Sequence, residues 1–188
     1  KFRRRAVGRA VPVPDVIRER ADTLARQGYV MLTDIVDAAL AEELSTASLT
    51  RLAEVREREN AQAGRHKNFW VRLLDRDKVD GALDCDNVFV RFAMQPALVS
   101  LLCARLGEMP RLMDALLTYS QPGDAALSYS QLWHRDHEDT RTTKVFIYLT
   151  DVSTREDGPF TFLPGEPSDR VGFTLRSHLR DEKFFLYC

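Results

Sequence analysis

The stretch "SQLWHRDHEDTRTTKVFIYLTD", Ser130 to Asp151, sets two histidines and three carboxylates directly ahead of an apolar run. The run "KVFIYLTDV" is short, β-branched and aromatic, which reads as a strand. If strand geometry extends back through the histidines, His134 and Asp136 leave by one face, because alternate side chains of a strand share a side. Trp133 and Arg135 then occupy the other. An imidazole nitrogen and a carboxylate oxygen aimed at one point suit a divalent metal. One further histidine would complete the 2-His-1-carboxylate set of non-haem Fe(II) oxygenases, which leaves three coordination positions open. The dipeptide spacing alone is a weak signal. It recurs as His137-Glu138-Asp139, and the two copies cannot both face inward, since an odd offset reverses the face. On the residues alone, a solvated turn stays the plainer reading.

Working outward, "ALLTYSQ", "LSYSQLWH", "KVFIYLTDV", "PFTFLPG" and "KFFLYC" are further apolar or aromatic runs after Pro110. Turn chemistry at Pro122-Gly123, Gly158-Pro159 and Pro164-Gly165 separates them. The first half of the chain is different. Val16, Ile17, Ala21, Leu24 and Ala25 have helical spacing over Asp15 to Gln27, with Asp15 as N-cap and Gly28 as the stop. "GYVMLTD" reads as a short strand. Asp37 to about Asn60 reads as a long amphipathic helix, and Gln95 to Gly107 as another with Pro96 in its first turn. "NFWVRLL" and "NVFVRFA" each fit a strand or a buried helical turn. Helices followed by strands indicate an α+β, mainly β arrangement in which helices brace an antiparallel sandwich or barrel. The expected layout is a single domain over 1–188, with a basic tail at 1–14, a helical brace with the first strands at 15–109, and the sheet core from 110–188.

The 188 residues are 44% hydrophobic and 29% charged, as expected of a globular chain with a sizeable core. A formal charge of −1 gives no pull toward nucleic acid or anionic lipid. There is no membrane-span or signal-peptide pattern. Cys85, Cys103 and Cys188 form no C-x-x-C pair, and their odd number argues against a disulfide framework. A cytoplasmic setting is the expectation; the oligomeric state is left open.

The pattern "SQLWHRDHED…KVFIYLTDV…DGPFTFLPG" closely resembles the phytanoyl-CoA dioxygenase family of Fe(II)/2-oxoglutarate oxygenases. That family carries W-H-x-D ahead of a strand of the form F-I-Y-L-T-D-V, then G-P-F-x-F-x-P-G-S-H. The resemblance is specific over Leu117 to Gly165 and compatible upstream, where "RQGYVMLTDIVDAALAEEL" looks like the family's entry strand and helix. It selects the first register, so His134 and Asp136 match the iron ligands, and it implies a double-stranded β-helix, a cupin-like jelly roll. It also implies Fe(II), 2-oxoglutarate and O2 as cofactors, with hydroxylation of a small molecule and release of succinate and CO2. An acid at Asp136 favours hydroxylation, since related halogenases put a small residue there. Tyr119, Thr143 and Lys144 are placed to reach 2-oxoglutarate, although a core tyrosine and a solvated lysine are the ordinary readings.

The family's pattern is incomplete here. A late histidine ligand is followed in the family by an arginine about ten residues on, which grips 2-oxoglutarate. His178, in the charged "TLRSHLRDEK", is a poor candidate, and the position ten beyond it is Cys188. "PGEP", Pro164 to Pro167, replaces PGSH, a change that touches the following loop and not an iron ligand. Roughly five or six strands are countable where such a sandwich needs about eight. The expectation is that the chain continues past Cys188 and that the jelly roll lacks its last strands over these residues. A catalytically inactive or truncated jelly roll serving as a small-molecule or protein binding module is the alternative. A nucleic-acid binder built on the basic start with Phe69 and Trp70 is a poor fit, with no aromatic-basic stripe to support it.

Overall fold

The computed structural model describes residues 2–34, 36–59, 68–72, 84–113, 115–120, 132–134 and 142–164. In chain order its elements are helices α1 (Phe2–Ala10), α2 (Asp15–Gln27) and α3 (Ala38–Glu59), strand β1 (Asn68–Arg72), helices α4 (Val88–Ala93) and α5 (Pro96–Leu106), strand β2 (Leu116–Ser120) and a 3-10 turn at Arg155–Asp157.

Local chemistry sets most helix ends. Gly28 (φ 83°) and Gly107 (φ 70°) take the left-handed conformation after α2 and α5, and donate to Leu24 O and Cys103 O. Asp37 caps α3, accepting from the Leu40 amide at 2.7 Å. Asn87 caps α4 through the Phe89 amide at 2.9 Å, which resolves "NVFVRFA" as a helix. Pro96 opens α5, where its missing N–H costs nothing. Asp15 is the first helical residue of α2 and not its cap; Pro14 holds that position without a side-chain bond.

Helix α5 is the centre of the core. Leu101, 2% exposed, joins Ile17 and Ala21 of α2, with Val13, Val30, Leu32 and Ala97 packed against them. Leu98 joins Leu44 of α3 and Phe92 of α4, supported by Leu40, Leu102 and Leu149 among others. Leu32 belongs to the margin of both clusters. A buried polar joint ties the second cluster together. The Gln95 side chain accepts from the Asp37 amide at 2.7 Å and donates to Phe92 O at 3.2 Å, so the start of α3 is fastened to the α4–α5 junction.

The basic start is a helix and not a solvated tail. The Met109 amide donates to Arg4 O at 2.9 Å, and Arg4 Nε donates to Met109 O at 3.1 Å. Arg4 and Arg5 both approach Glu108, at 3.2 and 3.8 Å. Gly8 makes this possible. A Cβ there would lie 2.4 Å from the backbone of Glu108 and Met109.

The β region departs from expectation. β1 and β2 pair antiparallel, with Phe69 opposite Tyr119, so the described part of "NFWVRLL", Asn68 to Arg72, is a strand. Among the described residues that pair is the whole sheet. "GYVMLTD" forms no strand; Val30 and Leu32 enter the core from irregular backbone. "KVFIYLTDV" and "PFTFLPG", as far as Pro164, lie side by side without a ladder. Phe146 stacks on Phe160 at 4.1 Å, and the Phe160 amide donates to the Tyr148 hydroxyl at 2.8 Å. Contact through rings and a hydroxyl replaces the backbone exchange that defines paired strands. Val145 to Tyr148 are exposed, so the run is not the buried strand its composition suggested; Leu149 is the residue that reaches the helical core. "KFFLYC" and all of "LSYSQLWH" except Leu132 to His134 lie outside the described residues.

The two kinds of buried contact give separable expectations in denaturant unfolding. Leu101→Ala is expected to lose about 2–5 kcal/mol through the cavity it leaves. Gln95→Leu is expected to lose roughly 1–3 kcal/mol by stranding the Asp37 amide. Arg91→Ala, which removes an exposed 2.8 Å pair with Glu43, should cost less than about 1 kcal/mol. An Arg91 effect as large as that of Leu101 would contradict this ranking.

Candidate metal centre

His134 is the member of the proposed ligand pair that the described residues include. Its ring is exposed, and Nδ1 lies 2.6 Å from the backbone oxygen of Leu132. A carbonyl oxygen only accepts, so this contact puts the proton on Nδ1. In the neutral ring the lone pair then resides on Nε2. Metal-binding histidines are commonly fixed this way, with the far nitrogen bonded to a carbonyl and the near one presented to the ion. The geometry of "LWH" thus gives His134 the tautomer of an Nε2 ligand. Sequence reasoning had no means of finding the Leu132 oxygen, since a backbone acceptor leaves no residue signature.

Asp136 lies outside the described residues, as do His137, Asp139 and His178. The shared inward face of His134 and Asp136 is therefore not part of the described geometry. Among the described residues no three histidine, cysteine, aspartate or glutamate side chains gather as a metal group.

The cofactor candidates are placed separately. Tyr119 lies on β2, opposite Phe69. Thr143 is half-buried and Lys144 exposed, at the head of the segment that carries the Phe146–Phe160 stack. The turn expected at Gly158-Pro159 precedes Phe160 of that stack, and the bonds that close it come from Asp157. Asp157 accepts from the amides of Ser153 (2.9 Å) and Thr154 (2.7 Å) and from the Thr154 hydroxyl (3.0 Å). Gly158 follows in the left-handed region at φ 71° and turns the chain back toward Tyr148. The Thr154-x-x-Asp157 spacing is a capping-box pattern, so the signal was present in the sequence.

The Thr154 amide, then the Ser153 amide and the Thr154 hydroxyl, hold the Asp157 carboxyl below its ordinary value. A depressed folded value means the carboxylate stabilises the turn at pH above the unfolded value of about 3.9. That contribution is lost as pH falls through the lower folded value. In a carboxyl NMR titration Asp157 is expected to titrate below a free aspartate, with the Ser153 and Thr154 amide shifts following the same curve. Asp157→Asn should remove that transition. An ordinary titration midpoint with unmoved amides would contradict the assignment.

Comparison with known families gives a match to the family described as phytanoyl-CoA dioxygenase (PhyH), over residues 24–183. No curated protein and no solved structure matches the chain. Among the described residues no helix is long and apolar enough to cross a membrane.

Proposed function

The chain belongs to the phytanoyl-CoA dioxygenase family, and from that premise we propose that it is a non-haem Fe(II)- and 2-oxoglutarate-dependent dioxygenase. Its reaction is hydroxylation of a small molecule, with release of succinate and CO2. One observation from the structure supports this reading beyond the family match: the Leu132 oxygen on Nδ1 leaves His134 in the tautomer an Nε2 ligand requires.

His134 fits a ferrous ion by its donor chemistry, and Asp136 is the carboxylate that the family motif sets beside it. Bound iron supplies O2 activation coupled to oxidative decarboxylation of 2-oxoglutarate. The chain's own residues hold and orient. The hydrogen bond to Leu132 O fixes the plane of the His134 ring. The Lys144 ammonium is suited to a 2-oxoglutarate carboxylate, and the hydroxyls of Thr143 and Tyr119 can donate to its remaining oxygens. A jelly-roll core and a small-molecule substrate belong to the same proposal, supported by membership of the family, and so does a cytoplasmic setting, supported by the cysteine usage alone.

Spectroscopy tests it without knowledge of the substrate. Anaerobic addition of Fe(II) and 2-oxoglutarate to the full-length protein is expected to give a weak visible charge-transfer band. His134→Ala and Asp136→Ala should each abolish it, while Lys144→Ala should raise the 2-oxoglutarate concentration needed. No band at saturating iron in a folded protein would refute the oxygenase and favour the inactive binding module.

A further inference from the structure

A cavity of about 330 Å³ opens where α1, α2 and α5 meet. Its floor is apolar, built from buried side chains that include Ala21 and Cys103. Its rim is cationic. Arg9 of α1, Arg18 of α2 and Arg105 of α5 line it, against a single carboxylate, Asp22. Arg18 is held in place by donating to Val13 O at 3.2 Å. Burial pushes the Cys103 thiol upward, so the floor stays uncharged at neutral pH. None of the residues assigned to iron or 2-oxoglutarate lines this space, and its wall from Gly8 to Asp22 precedes the family-matched span.

Three arginines from three helices and one aspartate among the lining residues leave an excess of positive charge around an apolar base. Guanidinium recognises carboxylate and phosphate oxygens through paired N–H donors. The volume is near the lower end for small-molecule pockets. We propose that this cavity is a binding site, separate from the candidate iron centre, for a small amphipathic anion: an acid head at the arginine rim and a short apolar body on the Ala21–Cys103 floor.

Calorimetric titration of the full chain with three probes tests it. Octanoate carries both features, 1-octanol has only the apolar body, and inorganic phosphate has only the charge. Octanoate is expected to bind saturably and to outcompete both others. Arg105→Glu should weaken octanoate about tenfold or more, as charge reversal at a partly screened site allows. Ala104→Phe, an exposed lining position of α5, should fill the space and abolish binding. Both substitutions are at exposed positions, and unchanged circular dichroism and melting check that each variant is folded. Absence of octanoate binding, equal binding of inorganic phosphate, or octanoate affinity unmoved by both substitutions would overturn the proposal; the last would place the ligand elsewhere, the iron centre included.

Discussion

Helix α5 is apolar on two sides, and the described structure is the solution to covering both. Ala97 and Leu101 meet α2, while Leu98 and Leu102 meet α3 and α4. Burying such side chains contributes about 1.5–3 kcal/mol each, more than an exposed ion pair such as Arg91–Glu43. The remaining packing follows from that demand. Leu32 fills the seam between the clusters, and Leu149 brings the segment after the candidate ligands onto the same core. The Gln95 joint then fixes where α3 begins relative to α5. The segment after the candidate ligands meets the helical half through Leu149 and through the Tyr29–Phe162 ring contact at 5.0 Å.

What the sequence disclosed and what it withheld divide along a physical line. Helices α2, α3 and α5 were legible because their determinants are local: periodic apolar residues, a glycine stop at Gly28 and Pro96 in the first turn of α5. The helical start was illegible because its support is not local. Arg4 and Gly8 dock on Glu108 and Met109, about a hundred residues away, and a run of arginines alone looks like a tail. "GYVMLTD" shows the converse error. It reads as a short strand, and Val30 and Leu32 do pack half-buried against the core, yet burial does not supply a neighbouring strand, and no ladder forms there among the described residues. "KVFIYLTDV" failed as a strand for the same reason, its described neighbour meeting it through Tyr148 and stacked rings.

The candidate site was legible in part. Residue types and spacing singled out His134 and Asp136, and likeness to a family chose between two H-x-D registers. That likeness is now a family match over residues 24–183. The structure adds an element that no motif encodes, the Leu132 oxygen that sets the His134 tautomer. It also separates two kinds of chemistry by position. Ligand and cofactor candidates follow the helical core, on β2 and after it, whereas the arginine-rimmed cavity lies among α1, α2 and α5.

The central claim is that the imidazole of residue 134 and the carboxylate of residue 136 clasp one ferrous ion. Diffraction at the iron absorption edge from anaerobically Fe(II)-loaded crystals addresses it directly. The account requires one anomalous peak within bonding distance of both His134 Nε2 and an Asp136 oxygen, with Nδ1 still on Leu132 O. A peak bonded through Nδ1, or iron held at a place that includes neither side chain, would contradict it.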